Sequence, residues 1–124
     1  MQRELLFRGK TQFSSNLEYG FLSWHDLGHG KKYFINNQAI ISETVGQFTG
    51  MTDKNGTKIF EGDIVKYYNP YSKTWHTQIV KWDWRFAGFG LFDKESEWCK
   101  ESDWLKIEST EVIGNIYDNK ELLK

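Results

Sequence analysis

Two histidines, a run of carboxylates and one cysteine are the side chains whose spacing could carry chemistry. His25 and His29 stand four positions apart, which on a helix would bring both imidazoles to one face, ready for a metal ion. Gly28 and Gly30 oppose that helix, and the other soft ligands, His76 and Cys99, are far away in the chain. Even with Asp26 between them, the pair reads as polar loop histidines, and no metal site is expected. Asp53-Lys54-Asn55-Gly56, followed by Glu61 and Asp63, raises calcium as a ligand. An EF-hand loop needs oxygen ligands at alternate positions, a glycine at the sixth and a bidentate Glu at the twelfth. Here the glycine comes fourth and no helices flank it. Asp53, Asn55, Gly56, Glu61, Gly62 and Asp63 read instead as a structural turn motif. Asn55-Gly56 makes a hairpin turn, Glu61-Gly62-Asp63 a second turn, and the two aspartates cap backbone N–H groups.

Covalent chemistry has no better footing. There is no Gly-x-Ser-x-Gly elbow, and Cys99 sits among Glu97, Glu101 and Asp103, neighbours that oppose a thiolate. Gly88-Phe89-Gly90 lacks the third glycine and the following helix of a dinucleotide fingerprint. Glu61 and Asp63 could pair as acid and base, but the turn already accounts for them. The expectation is a protein without catalytic residues and without a cofactor.

Binding is the remaining chemistry, and two regions offer it. Residues 64–86 interleave Lys66, Lys73, Lys81 and Arg85 with Tyr67, Tyr68, Tyr71, Trp75, Trp82, Trp84 and Phe86. Rings beside cations suit single-stranded nucleic acid, for which Lys66, Lys81, Trp82, Trp84 and Arg85 are the candidate residues. The second region, 93–111, holds seven acids against three lysines and carries Trp98 and Trp104. Tryptophans in a charged surround are typical anchors of a protein interface, and an acidic segment repels a phosphate backbone. Residues 1–92 carry 11 basic and 8 acidic groups, so the formal net charge of −1 hides a basic body beside an acidic segment.

These residues need a scaffold, and composition points to strands. The chain has 124 residues, 17% aromatic, with one proline and one cysteine. That length fits one domain over residues 1–124, and the rings favour a β core. Strands are expected at residues 3–8, 17–24, 33–35, 39–41, 45–49, 64–68, 74–84 and 112–117. Asn36-Asn37, Asn55-Gly56, residues 69–73 and residues 87–90 are the turns. Within 74–84, Trp75, Thr77 and Ile79 lie on one face and Val80, Trp82 and Trp84 on the other. Either both faces are partly apolar or a bulge near Ile79-Val80 swaps the parity, and both suit a curled sheet or small barrel. Residues 93–111 read as helix or loop. The fold class is mainly β: a small barrel-containing single domain with at most one or two short helices. Residues 1–10 lack the apolar core of a signal peptide, and no apolar run reaches the roughly 18 residues of a membrane span, so a cytoplasmic protein is expected.

Three blocks resemble a known family. They are Arg3-Glu4-Leu5-Leu6-Phe7-Arg8, the twenty-residue run from Gly46 through Asn55-Gly56 and Glu61-Gly62-Asp63 to Val65, and Glu111-Val112-Ile113-Gly114-Asn115-Ile116-Tyr117 with Glu121-Leu122-Leu123. In this order they are similar to the YopX-like proteins of phages and prophages in low-GC Gram-positive bacteria. The family usually has Ala-Trp where this chain has Gly9-Lys10, and Leu where it has Met51. Residues 13–42 and 69–110 carry little of the pattern. The resemblance implies a phage or prophage protein of mainly β, barrel-containing fold in a bacterial host. It implies no reaction, cofactor or catalytic residue. It favours a host or phage protein as partner; single-stranded nucleic acid, read from the rings and cations of residues 64–86, is the alternative. Self-association through open strand edges stays open.

Overall fold

The computed structural model describes residues 5–26, 28–69, 71–85, 87–93 and 110–123. Strands take up 59% of them, and among these described residues no helix reaches seven residues. The mainly β fold expected from the aromatic-rich sequence is what forms, with one sheet curled into a half barrel. Residue contacts separate the chain into two compact units, residues 1–48 and 49–124.

In the first unit, β1 (Phe7–Lys10) pairs antiparallel with β2 (Leu17–Gly20) and, at Phe7↔Gln47, with the start of β6 (Gly46–Thr52). A second sheet orders β3 (Leu22–Asp26), β4 (Lys31–Ile35) and β5 (Gln38–Ile40). The stretch 17–24, expected as one strand, is broken at Phe21 and feeds both sheets. Asn36 and Asn37 join β4 to β5 with φ of 51° and 64°, the left-handed pair that a two-residue hairpin turn requires. Ile35 and Ile40 are buried, and a Cβ at Gly9 would overlap the Ile40 Cγ2 methyl. Only a residue without a side chain lets β1 lie this close to β5.

In the second unit, β7 (Lys58–Phe60) lies beside β6, and β8 (Asp63–Asn69), β9 (Thr74–Asp83), β10 (Gly88–Phe92) and β11 (Glu111–Asn115) form a sheet of order β10-β9-β8-β11. Ile59, Val65, Val80, Phe89 and Leu91 make its core, with Met51 and Val112 packed against them. The other face of the sheet is apolar too. Ile64 pairs with Ile79 and Ile79 with Phe92, and all three are buried. Both faces of β9 are therefore apolar, and its register runs unbroken through Ile79 and Val80. The register shift falls in β11 instead, between Val112 and Gly114. Of the turn expected at residues 87–90, Ala87 is a turn residue at φ 49°, as are Trp84 and Arg85, whereas Gly88 to Gly90 belong to β10.

The turns between β6 and β8 are held by carboxylates. Asp53, only 6% exposed, accepts hydrogen bonds from the N–H groups of Asn55 and Thr57 on one oxygen and of Val112 on the other, each at 2.9 Å. Burial pushes its carboxyl up, but these three donors and nearby Lys54 outweigh that and hold it below the usual 3.8. Gly56 follows at φ 83°, a conformation that L side chains resist. Asp63 is buried and accepts from the Phe60 N–H at 2.7 Å. Gly62 donates to the Val80 carbonyl, and its own carbonyl accepts from Ile116, which ties the second turn to β9 and to the end of β11.

Candidate binding face

The register of β8 and β9 decides which side chains share a face. Antiparallel partners point to the same side, and every second residue along a strand joins them. The pairs Tyr68↔Trp75 and Lys66↔Thr77 therefore stand on one side, together with Lys81 two pairs further along β9. Tyr67 and His76 stack on the other side at 5.3 Å. Towards the sheet's middle each side is covered by apolar residues. Towards the turn at residues 71–73, the rings of Tyr68, Tyr71 and Trp75 are left in water, whereas Tyr67 on the other side stays buried.

Tyr68 and Trp75 are 46% and 57% exposed, with ring centroids 5.4 Å apart. Cations flank them. The Lys66 ammonium lies 5.1 Å from the Trp75 ring centroid and that of Lys54, from the β6–β7 turn, 5.8 Å. Cation–π contacts at exposed sites are worth about 0.5–1 kcal/mol each. Glu111 pairs with Lys66 at 3.3 Å and accepts from the Asn55 amide at 3.4 Å, which offsets part of the positive charge. Beyond the ring pair, Tyr71 is 96% exposed at the turn, where the Asn69 carboxamide oxygen accepts from the backbone N–H groups of Tyr71 and Ser72. The whole is an aromatic ledge with a partly neutralised basic border. It can stack, desolvate and form hydrogen bonds, and among the described residues no three His, Cys, Asp or Glu side chains gather to hold a metal ion.

The five residues considered for nucleic acid do not come together. Lys66 and Lys81 share the ledge's face, although Lys81 leans on Phe92, 5.5 Å from its centroid. Trp82 stands on the opposite face, edge-on to Phe89 at 5.1 Å. Trp84 is in the β9–β10 turn, 77% exposed. Arg85, in the same turn, spends its guanidinium on both carboxylate oxygens of Asp83, at 3.1 and 2.8 Å. Trp98 and Trp104, the candidate protein anchors, and Cys99 lie outside the described residues. His25 sits exposed on β3, edge-on to Phe34 at 5.6 Å, and His29 lies in the following turn.

Tyr68 and Trp75 were within reach of the sequence: they flank the proline-containing turn symmetrically and so must face each other. Lys54 was not, because only the folded turn at Asn55-Gly56 brings it to the ring.

Comparison with known proteins places this architecture. The solved structure of protein EF1440 from Enterococcus faecalis is similar in fold, with a TM-score of 0.58 and 20% sequence identity over 99% of this chain and 100% of that one. A search of curated proteins finds no match. A family model described as YopX protein matches residues 6–124. The match runs from just ahead of β1 to the last residue, through both units and every turn described above, and the chain belongs to the YopX family.

Proposed function

We propose that this chain is a non-catalytic binding module that engages a host or phage protein through the Tyr68–Trp75 ledge of β8 and β9. The observation that supports this reading is the exposed ring pair itself. Two large aromatic side chains are paired in register towards the end of the β8–β9 ladder and left half in water. Tyr and Trp are the side chains that most often anchor protein interfaces, because they bury much area at small entropic cost. The partial neutralisation of Lys66 by Glu111 favours a protein over a polyphosphate.

Single-stranded nucleic acid is the second reading, favoured by Lys66 and Lys81 sharing the face of the rings. One experiment separates the two. The chain is used as bait in host lysate at low and high salt, with and without nuclease, beside a Tyr68→Ala/Trp75→Ala bait. Support is a protein that survives nuclease and is lost from the double variant. Recovery of nucleic acid alone, or a protein retained equally by both baits, overturns the proposal.

A further inference from the structure

In the β3-β4-β5 sheet of the first unit, β3 is an edge strand, and its register fixes which backbone groups face outward. Ile35 and Gln38 flank the two-residue turn at Asn36-Asn37 and so exchange hydrogen bonds with each other. Bonding direction alternates along a strand. Phe34 and Lys32 therefore turn their N–H and C=O groups the other way, to Ser23 and His25 of β3. The N–H and C=O groups of Leu22, Trp24 and Asp26 point away from the sheet. Among the described residues none bonds them.

Open edges invite pairing and are ordinarily blunted by a lysine, a proline, a bulge or a covering group. β2 has such a cover, because the Asn36 carboxamide donates to its Tyr19 carbonyl at 2.9 Å. β3, Leu22-Ser23-Trp24-His25-Asp26, holds no lysine or proline, and its register with β4 runs without a bulge. Its carboxylate, Asp26, stands at the strand's end opposite Lys31. Ser23 to Asp26 are all exposed, and Trp24 keeps 51% of its surface in water beside its cross-strand partner Tyr33.

We propose that β3 pairs antiparallel with β3 of a second copy of this chain, about a two-fold axis at Trp24. Leu22 then bonds Asp26 of the second copy, Trp24 bonds Trp24, and Asp26 bonds Leu22. Every outward backbone group of β3 gains a partner, and the strand overlaps its own length without an overhang. Sliding the ladder either way leaves an outward N–H and C=O unbonded. The side chains fit the same arrangement. Tyr33 and Trp24 of the two copies form one aromatic row across the joined sheets, and aromatic cross-strand pairs stabilise a ladder. On the other face Ser23 stands opposite His25 of the second copy, a hydroxyl beside an imidazole. No like charges oppose each other, since Asp26 meets Leu22. This self-complementarity favours a second copy over an unrelated strand, and so short a ladder suits a weak, concentration-dependent dimer. The edge shares no residue with the β8–β9 ledge, so either proposal can fail without the other.

The test is sedimentation velocity of the full chain from about 5 µM to about 500 µM, the range in which a weak dimer forms. The expected result is a shift from monomer to dimer as concentration rises. Trp24→Lys sets two ammonium groups opposite each other at the two-fold axis and should weaken dimerisation about tenfold or more. Trp84→Lys, at an exposed ring in another turn, should leave it unchanged. Cross-linking reads the register without relying on Trp24. Ser23 and His25 of opposite copies would be non-hydrogen-bonded partners, about 4.5 Å apart at Cα, which a disulfide can span. In a Cys99→Ser background, mild oxidation should therefore link the Ser23→Cys/His25→Cys double variant into a covalent dimer. Each single variant, out of register with itself, should link far more slowly. A monomer across the whole range, a dimer indifferent to Trp24→Lys, or single variants that link as fast as the double overturns the proposal. So does a chain that stays monomeric while Trp24→Lys removes a protein captured from lysate, which would assign the edge to a foreign strand.

Discussion

Replacing Asp53 by asparagine removes one charge and one acceptor from a buried knot that joins the β6–β7 turn to β11. In the native turn one carboxylate oxygen serves Asn55 and Thr57, and the other serves Val112. An asparagine can keep the first oxygen, but its amide NH₂ then meets the Val112 N–H, donor against donor. One N–H loses its partner and two bonds lose their charge assistance, which together cost about 2–4 kcal/mol. The pH dependence gives the sharper signature. The folded-state carboxyl lies below its ordinary 3.8, so its contribution is fully present above that value and disappears as pH falls through the folded-state value. Asparagine does not titrate. The stability gap between wild type and Asp53→Asn should therefore be largest near about pH 6 and shrink towards about pH 3. Urea unfolding followed by tryptophan fluorescence reads it directly. A gap below about 0.5 kcal/mol, the size of an ordinary surface substitution, would refute the account of this turn. So would a gap that stays constant across that pH range.

Gly9→Ala should destabilise by about 1–3 kcal/mol in thermal or urea unfolding, because its methyl meets buried Ile40, and the overpacking has no easy outlet. Leu91→Ala, at a fully buried core position of the half barrel, should cost about 2–5 kcal/mol by the same measurement. Trp75→Ala should change stability by at most about 1 kcal/mol, since only a ring contact and two exposed cation–π contacts are lost. Trp82→Ala, which removes an edge-on contact with buried Phe89, should lower stability by more than Trp75→Ala does while leaving partner capture intact.

The strands and turns were largely legible because their signals are local. Asn36-Asn37 adopts the left-handed pair its residue types tolerate, Asn55-Gly56 separates β6 from β7, and the two-sided apolar pattern around Ile79-Val80 is a strand buried on both faces. The misreadings also have local causes. Gly88 and Gly90 look like a turn, but they are ladder partners of Asp83 and Lys81, where small residues fit a pleated strand as well as a bend. The break at Phe21 depends on which sheet each half joins, which no short window contains. Site reading was harder because it needs register. The period of two already sets Trp82 on the face opposite Trp75, but that Trp82 lies edge-on to Phe89 and that Trp84 leaves the strand for the turn depend on the pairing with β10. Arg85 looks like a free cation until the turn folds it back onto Asp83. The acidic stretch with Trp98 and Trp104 falls almost wholly outside the described residues.

The most direct test of the binding account compares two exposed tryptophans against the protein recovered by capture. Trp75 belongs to the ledge, whereas Trp84, at 77% exposure, is the more accessible ring and stands in a different turn. Titration calorimetry of the partner with wild type, Trp75→Ala and Trp84→Ala should show Trp75→Ala weakening affinity about thirtyfold or more, the scale of an interface anchor. Trp84→Ala should match wild type. Equal losses from both variants, or a loss from Trp84→Ala alone, would contradict the claim that the Tyr68–Trp75 ledge is the docking face.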